Sequence, residues 1–76
     1  MKESKIILRA NFDGYVIGER HFNVAYKTFD GLAHFIKAET IRTRELGYER
    51  FPDVDFFIDY IMPDLADDEE PNVYLS

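Results

Sequence analysis

The sequence has no cysteine, only three prolines and four glycines, and no apolar run longer than three residues. Without cysteine, neither a disulfide nor a Cys-based zinc site braces the fold. The same absence fits a reducing compartment. A transmembrane helix needs about 20 mostly apolar residues, far more than any run present. The first residues, Met1–Lys5, are charged, and the run Ile6-Ile7-Leu8 stops at Arg9, so no signal peptide is read. The expectation is a cytoplasmic protein with no membrane partner. Basic residues are absent beyond Arg50, and the net charge is −6. Direct contact with nucleic acid is therefore not expected, because phosphate contacts need clustered Lys and Arg. A basic protein suits such a chain better.

What is present is enough for a packed core. Of 76 residues, 46% are hydrophobic and 16% aromatic, which excludes general disorder. The length supports one domain spanning 1–76. A domain of about this size buries roughly 60–65% of its unfolded surface, so its stability is slim. Charge is uneven. Residues 1–52 hold nine basic and seven acidic residues, and residues 53–76 hold eight acidic and none basic. The end 64–76, with the Asp67–Glu70 run, is expected to fray.

Lys5–Phe12 alternates apolar and polar residues as a half-buried strand does. Asp13-Gly14 is a strong type I′ hairpin signal. Tyr15–Tyr26 is the return strand. A two-residue turn sets Phe12 opposite Tyr15 and Ala10 opposite Ile17. One extra residue at Gly18-Glu19, as a bulge, then brings Ile6 opposite Phe22. The competing reading places a II′ turn at Gly18-Glu19 and a kink at Gly14. Thr28–Leu46 is a helix: Thr28 suits the N-cap, Asp30 the first turn, and Gly47 a C′ stop. Phe29, Leu32, Phe35, Ile36 and Leu46 share a face. Glu39 and Thr43 intrude on that face, while Ile41 lies opposite it.

Residues 52–62 satisfy two periods. Val54, Phe57, Ile58 and Ile61 fit a helix, and Val54, Phe56, Ile58 and Tyr60 fit a strand; we favour the helix. Asn72–Leu75 adds a short edge strand or frays. The fold class is α+β: a small antiparallel hairpin or sheet (about 5–12 and 15–26), covered by a helix (about 28–46), with a second short helix or strand (about 52–62). Two strands alone make a marginal sheet. Either the C-terminal segment adds a strand, or two chains pair edge to edge as a homodimer.

No catalytic constellation emerges. The only serines are Ser4 and Ser76, and Thr28, Thr40 and Thr43 have no nucleophile-elbow context. His21 and His34 have no partner at ligand spacing. Asp53 and Asp55 begin like a calcium loop, but the fifth and sixth positions are Phe57 and Ile58, where an oxygen ligand and glycine belong. Gly14 and Gly18 lack the Gly-Lys-Ser/Thr of a phosphate loop. Neither metal nor cofactor is expected, and an enzyme is not.

The acidic third is the unusual feature. Its candidate contacts are Asp53, Asp55, Asp59, Asp64, Asp67, Asp68, Glu69 and Glu70, with Tyr60 as an anchor. On a helix Asp55 and Asp59 project together, about 6 Å apart; on a strand Asp53 and Asp55 share a face. Either spacing is close to the step between phosphates. Tyr48, Phe51, Phe56 and Tyr60 surround this segment, as core lining or as interface anchors.

Gly14-x-x-x-Gly18-x-Arg20-x-Phe22, followed by Thr28-x-x-x-Leu32-x-x-Phe35, is similar in kind to small phage-encoded antagonists of host machinery, anti-CRISPR proteins among them. The likeness is one of general form over about a third of the chain, and no site residue is taken from it. The function expected is a non-catalytic binding protein that occludes a basic site on a partner, such as a nucleic-acid-binding one, as a DNA mimic would. The alternative is an accessory subunit that homo-oligomerises through sheet edges and aromatic surface.

Overall fold

A computed structural model describes residues 1–76. It contains strand β1 (Lys2–Phe12), strand β2 (Tyr15–Tyr26), helix α1 (Phe29–Arg50), strand β3 (Phe57–Ile61) and strand β4 (Val73–Tyr74). They form a four-stranded sheet of order β3-β1-β2-β4 with α1 against one face. The fold is α+β, as the sequence implied. No helix is long and apolar enough to cross a membrane.

The hairpin forms where Asp13-Gly14 places it. Both residues have positive φ (51° and 80°), which a type I′ turn requires. Phe12 faces Tyr15 and Ile6 faces Phe22, as expected. The bulge lies one residue earlier than predicted. Ala10 faces Gly18, not Ile17, and Ile17 is the extra residue between Val16 and Gly18. The shift restores alternation, so Ile6, Leu8 and Val24 all point to the helix and are fully buried.

Thr28 caps α1: its extended backbone and its hydroxyl, which accepts from the Gly31 N–H at 3.0 Å, begin the helix. Leu32 is buried, and Phe35 and Ile36 pack on the core, with Phe35 edge-on to Phe22 at 5.3 Å. The predicted stop at Gly47 is wrong. The helix continues to Arg50, and Gly47 lies within it. A Cβ at Gly47 would lie 2.4 Å from the ring of Phe56. The glycine thus makes room for a neighbour and does not end the helix. Phe56 is buried there beside Tyr48, with ring centroids 5.0 Å apart.

The intrusion of Glu39 and Thr43 has a structural reason. Arg20 stands on the helix-facing side of β2, donates from Nη1 to the Thr43 hydroxyl at 3.0 Å, and forms an ion pair with Glu39 at 3.0 Å. Thr43 is itself buried. A polar layer therefore joins helix to sheet where the apolar face breaks.

The favoured helix at 52–62 is also corrected. Residues 57–61 are a strand antiparallel to β1, and residues 52–56 are irregular. The hairpin alone would leave β1 with an open edge, and Ile58 fills it opposite Ala10. β4 pairs parallel to β2 on the other side. The C-terminal segment therefore widens the sheet to four strands.

Candidate partner-binding surface

The strands sort the candidate residues by side, because successive residues point to opposite faces. Ile58 and Tyr60 point toward α1. Phe57, Asp59 and Ile61 point away, beside Arg9 and Ile7. Asp59 is not free. Arg9 donates to both its oxygens, from Nε at 3.0 Å and Nη2 at 2.7 Å. This guanidinium, with a further hydrogen bond from Asn11, holds the Asp59 carboxyl below its ordinary range.

After β3 the chain runs from the β3 edge to the β4 edge through residues 62–72. It is tied at both ends: the Lys5 N–H donates to the Pro63 carbonyl at 3.1 Å, and the Asn72 N–H donates to the Asn23 carbonyl at 2.8 Å. Asn23 also donates from Nδ2 to the Glu70 carbonyl. Lys5 forms an ion pair with Glu69, and the side chains of Lys5 and Asn23 both belong to the face away from α1. The connection therefore crosses that face. Glu69 also accepts from the Ala66 N–H at 3.1 Å. Lys5 first, and this amide second, lower the Glu69 pKa.

The candidate acids thus divide. Asp59 and Glu69 are engaged in intramolecular ion pairs. Asp53, Asp55, Asp64, Asp67, Asp68 and Glu70 are exposed and have no cationic partner. They form two groups. Asp53 and Asp55 lie in the irregular segment before β3, and the other four lie on the connection beyond it. The i, i+4 pairing of Asp55 with Asp59 does not occur, because no helix spans them. Tyr60 is half exposed but stands on the helix side, away from the connection. No group of three or more His, Asp or Glu side chains is arranged to hold a metal ion.

Sequence reasoning missed a second surface. An apolar groove of about 740 Å³ runs between α1 and the outer edge of β3. Its lining includes Phe29, Ile36 and Ile41 from the helix and Tyr60 and Met62 from the β3 side, with Lys37 and Arg44 among the helix residues. The available signal was Ile41, an apolar residue off the main face and between two cations.

The two ion pairs give a pH prediction. Both carboxyls have lowered pKa values in the fold. Their stabilisation is complete above the ordinary carboxylate range, about pH 5, and is lost as pH falls through the lowered values. The double variant Asp59→Asn, Glu69→Gln should show a flatter fall in thermal midpoint between pH 5 and pH 2 than the wild type. Equal slopes would mean that these pairs do not couple to folding. Comparisons with protein-family models, with curated proteins and with solved structures each find no match.

Proposed function

We propose that the chain is a non-catalytic binding protein that presents its acidic connection, Asp64, Asp67, Asp68 and Glu70, to a basic site on a partner protein. The observation that supports this reading is the division of the acids: two are spent on intramolecular ion pairs, while these four stay exposed on a segment tied to the sheet at both ends. Like charges held on one short segment repel one another. A basic partner relieves that repulsion, and anchoring lowers the ordering cost of binding. A site that handles nucleic acid is the natural basic target, because its Lys and Arg are placed for anions. The protein then acts as an occluder in the manner of phage-type inhibitors and DNA mimics, with Asp53 and Asp55 as a secondary contact.

Competition tests this reading. Partner captured on immobilised protein should be released by added duplex nucleic acid and not by a neutral polymer. Release by neither would remove nucleic-acid-site occlusion. An accessory subunit that self-associates through sheet edges is the second reading, favoured by the open edge of β3. Light scattering separates the two, since the occluder needs no self-association.

A further inference from the structure

The acidic connection leaves the groove between α1 and β3 unexplained. β3 is an edge strand, paired only with β1. Its orientation follows from one bond. The Lys5 N–H donates to the Pro63 carbonyl, so in the alternating antiparallel pattern Ile61, Asp59 and Phe57 turn their backbone groups toward β1. Ile58 and Tyr60 therefore turn theirs outward, at the free edge. Their side chains point to the helix side, and Tyr60 lines the groove.

Edge strands are commonly guarded by a charge, by proline or by a covering segment. The only charge within β3 is Asp59, which Arg9 neutralises from the far face. Phe57, Tyr60, Ile61 and Met62 are all exposed. Unpaired backbone and an apolar groove thus lie side by side, the arrangement that takes an added strand.

The helix wall supplies the sign of charge. Lys37 and Arg44 are exposed and have no carboxylate partner. They stand two turns apart, roughly 10 Å along the axis. Same-face residues of a strand repeat about every 7 Å. Acidic residues two to four positions apart on a docked strand can reach both cations.

We infer that the β3 edge and this groove form a docking site for an extended segment of a partner protein. That segment carries apolar side chains at alternate positions, with carboxylates flanking them. It pairs with the outward backbone of Ile58 and Tyr60, its apolar side chains enter the groove, and its acids meet Lys37 and Arg44. A second copy of this chain fits less well. Two-fold pairing of β3 strands on one sheet turns the Lys37 and Arg44 rims toward each other. A five-residue edge is also small beside the 1,200–2,000 Å² or so of a stable interface. This site is independent of the acidic connection, so either can fail alone.

A displayed library of random twelve-residue peptides, selected on the full-length protein, tests the site. The expected consensus alternates apolar residues and contains Asp or Glu. Bound peptide should slow hydrogen exchange at the Ile58 and Tyr60 amides. Lys37→Glu with Arg44→Glu, both surface changes, should weaken those peptides at least tenfold and shift selection toward basic ones. A basic consensus, apolar spacing of three and four, no consensus, or unchanged exchange at Ile58 and Tyr60 would overturn the proposal. So would protection of those amides in the peptide-free protein that vanishes on dilution, which would assign the edge to a second copy.

Discussion

Replacing Phe56 with alanine is expected to remove about 3 kcal/mol or more of stability, the usual loss for a buried Phe. A 76-residue domain has about 4–11 kcal/mol in total, and only nine residues of this one are buried. The variant should therefore be marginal at 37 °C. Gly47 makes the prediction sharper. In a helix interior, glycine to alanine normally gains about 1 kcal/mol. Here the new Cβ meets the Phe56 ring at 2.4 and 2.7 Å, and the ring is held beside Tyr48. Gly47→Ala should instead cost about 1–3 kcal/mol, the range for overpacking. Phe56→Leu shortens the side chain and should abolish the clash. In that background Gly47→Ala should become neutral or stabilising. Urea denaturation of the four proteins in this cycle measures the coupling. Additive effects would show that Gly47 is not reserved for the ring.

The second large effect centres on Arg20. Arg20→Ala leaves Glu39 without its cation, and the Glu39 Oε2 atom is closed off from solvent. Breaking a fully buried pair costs about 3–5 kcal/mol. Both side chains keep some solvent contact, 28% and 22% exposed, so about 2 kcal/mol is expected. Part of this comes from the guanidinium itself, which lies over the Phe22 ring at 5.0 Å from its centroid. The triple change Arg20→Met, Glu39→Leu, Thr43→Val should recover most of the loss, because it removes the buried polar atoms together. Thermal midpoints of both variants decide this. A triple variant no better than Arg20→Ala would mean that the polar layer supplies net stability.

These two sites also show what was legible in the sequence. The hairpin was, because Asp13-Gly14 demands positive φ and one buried face pins Ile6 opposite Phe22. The bulge was misplaced by one residue because local pattern does not distinguish Ile17 from Gly18 as the extra residue. Gly47 was misread because its reason is tertiary: Phe56 returns to it from outside the helix. The misfit of Glu39 and Thr43 was visible, but its cause was not, because the partner Arg20 comes from β2. Residues 52–62 carry both periods, and the open edge of β1 selected the strand. Among the acids, nothing local marked Asp59 and Glu69 for pairing, since Arg9 and Lys5 lie far away in sequence.

The central functional claim is that the free carboxylates of the 62–72 connection hold a basic partner. It is tested most directly by capture from the source cell's lysate at low salt and at 1 M salt, with mass spectrometry. The comparison protein carries Asp64→Asn, Asp67→Asn, Asp68→Asn and Glu70→Gln, leaving the Asp59 and Glu69 pairs intact. The account predicts a basic nucleic-acid-handling protein bound by the wild type, released at 1 M salt and lost in the variant. Capture that survives both the salt and the four substitutions, or recovery of nothing but the chain itself, would contradict it.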